Sequence, residues 1–285
     1  LDKPTGAVAF SSPPDNFKSF APAGQASRGP LTVSLTIYLP IQPVTGALLA
    51  NSDVDAGCPR YSAGEYSPFY SKRIIQMVIA TPVEGAEQRV TLGNVSWQTY
   101  VDLCENADCP RGRLTYDQGE LEIMSPSYLH ENVSRLIGRM IEMFTFHHQV
   151  EIHSAKSTTF KRERKQRGFE ADESYYISHA ATMHGISHVD MEIHAPPDLV
   201  IEVDISRSSS LKMRVFAGLG VGEVWCFDGE QVIVHRLRGD TYEVCGISTE
   251  LPSFPLTLMN TLLAQRSELS EHQMISRFVN NMNSP

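Results

Sequence analysis

The sequence predicts an α/β protein, a mixed central β-sheet flanked by helices behind an irregular N-terminal extension. Three observations carry that expectation. Over residues 128–147, Val133, Leu136, Ile137, Met140, Ile141 and Phe144 recur at helical spacing, as in a long amphipathic helix packed on a sheet. Over residues 198–205 (DLVIEVDI), Leu199, Ile201, Val203 and Ile205 alternate with Val200, Glu202 and Asp204, as in a central strand. The composition also breaks near Met77: the first 76 residues hold nine of the seventeen prolines and no methionine or histidine, and the remainder holds all ten methionines and all ten histidines.

The elements follow in order. Pro13, Pro14, Pro22, Pro30, Pro40 and Pro43 interrupt any early helix, leaving Leu31–Tyr38 as the plausible strand there. Residues 1–76 are therefore expected to be a disordered Pro/Gly/Ser-rich extension. The folded domain is expected over 77–285, with its core at about 90–247 and a C-terminal helix and tail over 248–285. Ser96 caps a short helix ending at Glu105, and Leu114–Tyr116 and Gly119–Met124 form a hairpin about Asp117-Gln118-Gly119. Ser125-Pro126-Ser127 ends that hairpin and caps the long helix. Strands follow near Val150–Phe160 and Asp172–Ile177, separated by the basic run Lys161–Arg167. A loop with His179, His184, His188 and His194 then reaches Pro196-Pro197. After the strand at 198–205, Ser206–Ser210 caps a helix at Leu211–Gly218, and strands follow at Glu223–Phe227, Gln231–Leu237 and Thr241–Ile247. A helix at Leu258–Arg266 and a loose, partly helical tail complete the chain.

Composition excludes several classes. At 41% hydrophobic and 20% charged the chain is globular, and no run approaches the ~20 apolar residues of a membrane-spanning helix. Five cysteines with no CxxC pair read as reduced thiols in a cytoplasmic protein rather than a disulfide framework. The acidic balance belongs to the second segment, where eighteen Lys/Arg face twenty-eight Asp/Glu.

Carboxylates near strand ends are the informative chemistry. Asp172 opens one strand, Asp198, Glu202 and Asp204 lie along another, and Glu202 and Asp204 share a face. Such acids are costly in an apolar strand unless they are paired. Two or three of them suit Mg²⁺ or Mn²⁺, which needs few protein ligands and would polarise a phosphodiester.

The strings Gly119–Pro126 (GELEIMSP), Arg167–Ile177 (RGFEADESYYI), Pro197–Asp204 (PDLVIEVD) and Leu219–Trp225 (LGVGEVW), with His130 opening the long helix, resemble the Uma-type restriction endonuclease family of the PD-(D/E)XK nuclease superfamily. The resemblance spans about Val90 to Ile247 and implies a restriction-endonuclease-like core that presents acids from neighbouring strands to a divalent metal. Asp172 matches the first acid, although Ala171 stands where proline is usual, and Glu202 matches the second. The lysine two residues beyond that acid is here Asp204, which is either a further metal ligand or a lost catalytic group. Lys212, opening the next helix, is the nearest replacement, ahead of Lys156 and Lys161. Asp198 is a further candidate ligand. Glu122 and His130 match auxiliary positions, and His130 serves either the metal site or the helix start.

Lys161, Arg162, Arg164, Lys165 and Arg167 would neutralise DNA phosphates beside the site, or else form a solvated loop. The histidine loop lacks convincing zinc-ligand spacing and reads as structural. The expected function is metal-dependent DNA hydrolysis, with a homodimer suiting cleavage of both strands. The alternative is a catalytically inactive nuclease-fold protein acting as a nucleic-acid-binding or regulatory module.

Overall fold

The computed structural model describes residues 31–40, 70–79, 87–105, 112–205 and 210–282. Cys58, Cys109, the cap at 206–209 and most of the segment 1–76 lie outside the described residues. The first strands are β1 (Leu31–Pro40), β2 (Tyr70–Ile79) and β3 (Gln88–Leu92), followed by α1 (Trp97–Glu105). Next come β4 (Arg113–Asp117), β5 (Glu120–Ser125) and α2 (Tyr128–His147). β6 (His153–Ser154), β7 (Thr159–Arg162), β8 (Arg167–Glu170), β9 (Glu173–Tyr176) and β10 (Leu199–Val203) follow. The chain continues through α3 (Ser210–Leu219), β11 (Glu223–Phe227), β12 (Val232–Arg238) and β13 (Thr241–Cys245) to α4 (Leu256–Ala264) and α5 (Glu271–Asn281).

Among the described residues the α/β architecture expected is present, with its strands divided between two sheets flanked by helices. One is ordered β1-β2-β3-β5-β4-β8-β7 and is antiparallel throughout; the other is ordered β13-β12-β11-β10-β9-β6. Only β10 and β11 pair in parallel in the second sheet, with α3 as their crossover. The chain passes from one sheet to the other between β8 and β9, so Asp172 lies on the seam. The start of the folded region expected at Met77 falls inside β2, where Met77 pairs with both Val33 and Leu92. β1, which contains the strand expected at Leu31–Tyr38, and β2 lie at one edge of the first sheet. Both are rich in the β-branched residues that favour strands.

Alternation along β10 sorts its side chains between two cores. Leu199, Ile201 and Val203 join Val133, Ile137, Met140, Ile141 and Phe144 of α2, with Trp225 and Phe227 beside them. Val200 faces the other way, into the core made by Leu211, Val215, Phe216 and Leu219 of α3 with Phe169 and Tyr176. Glu202 therefore points into the α3 side of the sheet. The tail expected to be loose is instead capped by a Ser270–Gln273 box and docked through Met274 and Phe278, because those two residues lie one helical turn apart. The strand expected at Val150–Phe160 is split into β6 and β7 by a turn at Ala155–Thr158.

One core position is strained. The Glu173 side chain is 2% exposed, one of its oxygens lacks a hydrogen bond, and its ion-pair partner Lys156 stands 3.5 Å away and is largely solvated. Burial holds its carboxyl above the usual range, with Lys156 opposing. Glu173→Gln is expected to raise stability at neutral pH by roughly 1 kcal/mol, the order of a buried unsatisfied group. A lower melting temperature in the variant would refute this.

Candidate active site

The acids read from the sequence meet at the sheet seam. Asp172 is fully buried. Its Oδ2 accepts the Val203 N–H at 2.7 Å and lies 3.1 Å from His130 Nε2, and its Oδ1 lies 3.0 Å from Arg113 Nε. His130 reaches it because Ser127 caps α2, accepting the His130 N–H, so that the first turn of α2 faces β9. Arg113 also binds Glu131 at 2.7 Å, which ties the start of β4 to the same helix turn. Burial alone would push Asp172 up, but the His130 contact and the charges of Lys212 and Arg113 hold it at about 2. It is an anion at any physiological pH.

Glu202 and Lys212 form the second buried pair. Lys212 is 1% exposed, and its ammonium donates directly to Glu202 Oε1 from the first turn of α3. Burial lowers its pKa to about 8, with Arg89 and Arg113 pressing the same way and Asp172 and Glu122 opposing. The ammonium thus lies between the two acids, in contact with one and in the field of the other.

A third group surrounds Arg89 of β3. Its guanidinium contacts Asp204 and stands 3.4 Å from Glu87 Oε1 and 3.5 Å from Glu122 Oε1. Asp204, just past β10, shares the Glu202 face, while Glu122 comes from β5. Five acids (Glu87, Glu122, Asp172, Glu202 and Asp204), each under 9% exposed, therefore surround the cations Arg89, Arg113 and Lys212. Among the described residues no three His, Cys, Asp or Glu side chains converge closely enough to hold a metal by themselves.

Two expected groups are not brought here. Asp198 sits at the opposite end of β10, roughly 13 Å of strand before Glu202. Its carboxylate accepts the Ile177 and His179 N–H groups at 2.7 and 2.9 Å and faces His179 Nδ1, so it braces the turn after β9. The basic run is also displaced. Asp117 pairs with Arg167 at one end of β4, and Arg113, beside Asp172, is at the other. Adjacency in sequence misleads here because β8 is extended and carries the chain away from its basic start. The five cations are bound internally: Lys161 to Glu105, Arg162 to the Met191 carbonyl, Arg164 to Glu192, Lys165 to the Gly218 carbonyl and Arg167 to Asp117. Gly218 permits this packing, since a Cβ there would lie 2.2 Å from the Arg167 guanidinium. In the histidine loop, His194 Nδ1 accepts the Asp190 N–H at 2.9 Å, a structural use.

Arg89 and Arg113 escaped sequence reasoning. Each is a single charge at a strand end, and Asp204 lies 115 residues from Arg89. A basic residue beginning a strand next to one that carries Glu122 was the available signal.

Among the described residues no helix is long and apolar enough to cross a membrane. No curated protein matches the chain. A solved structure described as a "putative nuclease belonging to DUF820 from Anabaena variabilis" is 14% identical, with the alignment covering 65% of this chain and 99% of that one at a TM-score of 0.42. A family model described as "Putative restriction endonuclease", Uma2, matches residues 97–264. That match takes in α1 through α4, including Asp172, Glu202 and Lys212, and more than half of the sequence: the chain belongs to the Uma2 family.

Proposed function

We propose that this protein is a divalent-metal-dependent endonuclease that hydrolyses phosphodiester bonds in DNA, with Asp172, Glu202 and Lys212 at its centre. The observation that carries the reading is the placement of Lys212. Asp204 stands where the resemblance calls for lysine, and a buried ammonium from α3 contacts Glu202 and lies in the field of Asp172 instead. The family description supports the reaction class.

The donor set fits a divalent cation in two respects. The five buried carboxylates outnumber the three cations among them, an acidic surplus that a divalent ion would offset. Glu202 Oε2 is also buried without a hydrogen-bond partner among the described residues. Asp172 and Glu202 would hold the ion, Mg²⁺ or Mn²⁺, which takes few protein ligands and would supply Lewis-acid polarisation of a phosphate oxygen. The remaining work falls to the chain. Arg113, His130 and the Val203 N–H fix the Asp172 carboxylate. Lys212 orients the attacking water and offsets negative charge growing on the phosphate.

Conversion of supercoiled plasmid to nicked or linear forms by the full chain, with and without Mg²⁺ or Mn²⁺, tests the proposal. Cleavage is expected with metal and is expected to be lost in Glu202→Gln. Equal cleavage by that variant and wild type, or none by wild type under any metal, would remove the enzyme reading and leave the inactive module.

A further inference from the structure

Arg89 and Glu87 precede the family match, yet the fold inserts them into the acidic site. We propose that Arg89 is a built-in counter-cation that keeps Glu87, Glu122 and Asp204 from ligating metal, so that the site takes one divalent ion per chain, at Asp172 and Glu202. The inference rests on the preceding reading of those two acids as metal ligands.

The geometry supports it from three directions. Carboxylates from the segment before β3, from β5 and from the end of β10 converge on a single guanidinium. These are the hard oxygen donors that Mg²⁺ or Mn²⁺ takes, but they are drawn to a permanent monovalent cation, and as placed no three acids among the described residues close on a common point. Arginine suits that position better than lysine. Its planar fork presents N–H groups to several carboxylates at once, and it does not lose its proton. Burial works against the charged form, but Asp204, Glu122 and Glu87 outweigh it and raise the Arg89 pKa further. The arrangement also accounts for Asp204. A carboxylate at the expected lysine position would add an anion beside Glu202, and Arg89 cancels it locally, leaving the other two acids to Arg113 and Lys212. Arg89 is therefore a positioning residue. It withdraws Asp204 from metal coordination and sets the number of ions bound.

The test is a count of bound Mn²⁺ on the full chain, read from the free-ion electron paramagnetic resonance signal. Wild type is expected to bind one ion, lost in Glu202→Gln. Arg89→Met is expected to gain one, and Asp204→Asn added to it removes the gain; Arg89→Lys keeps the wild-type number. Absence of an Asp204-dependent gain in Arg89→Met overturns the proposal. If wild type binds none and Arg89→Met still gains one, the counter-cation role stands and the Asp172–Glu202 metal reading falls. Because Arg89→Met risks unfolding, Asp204→Asn alone supplies a second measure. It is expected to leave Mn²⁺ affinity within about twofold of wild type, whereas a weakening of about tenfold or more, the scale of a lost outer-shell partner, would place Asp204 in the shells around the ion and refute the idea.

Discussion

Lys212→Met is expected to lower the cleavage rate by about 100-fold or more, the scale of losing one preorganised charge at a transition state, while metal binding persists. Methionine keeps an unbranched apolar side chain of similar length, so the substitution mainly removes the ammonium. That ammonium is enclosed between the β10 face and α3 and contacts Glu202. The other cation of α3, Arg214, is engaged elsewhere, with Asp117 and Glu120, and Leu211, Val215, Phe216 and Leu219 are committed to the core. The same substitution leaves Glu202 buried with its charge uncompensated, which costs about 3–5 kcal/mol when one member of such a pair is removed. The metal-free variant should therefore melt well below wild type, and Mn²⁺ should raise its melting temperature more than it raises that of wild type. A folded variant that cleaves at the wild-type rate would show that Lys212 only neutralises Glu202.

The distinction between what the sequence discloses and what it hides follows the range of the interactions. The boundaries of α2, expected at Tyr128–His147, coincide with those observed, because six apolar residues at helical spacing and a Ser cap are all local signals. β10, α3 and β11 are legible for the same reason, each being periodic and bounded by Ser, Gly or Pro. Glu202 and Lys212 could be singled out because an acid in an apolar strand demands a partner and α3 begins a few residues later. The partition into two sheets was not legible, since the start of β8 is hidden in the basic run and only two residues, Ala171 and Asp172, separate β8 from β9. Arg89 and Arg113 find their partners across 115 and 59 residues, where the two sheets meet, and no spacing rule reaches that far. α5 was readable but passed over. Met274 and Phe278, one turn apart behind Ser270 and Gln273, already carry a docking face and a cap.

Asp172→Asn is expected to abolish detectable cleavage and to cost about 3 kcal/mol or more, although the two side chains are nearly the same shape. The wild-type carboxylate receives the Val203 N–H on one oxygen, which also lies beside His130, and the Arg113 guanidinium faces the other. An amide oxygen can satisfy the Val203 N–H, but the NH₂ group then points at Arg113, donor against donor. The loss extends further, because the Asp172 charge also supports the ammonium of Lys212 against the cost of burial. Removing it withdraws support from three cationic or donor groups at once. Asp198→Asn makes the necessary comparison. That acid accepts two backbone N–H groups, where Asp172 accepts one, and likewise faces a histidine, but at the far end of β10. Its substitution should lower stability and leave the cleavage rate of the folded fraction near wild type. Wild-type cleavage by Asp172→Asn, or its loss in a folded Asp198→Asn, would exchange the roles assigned to the two acids.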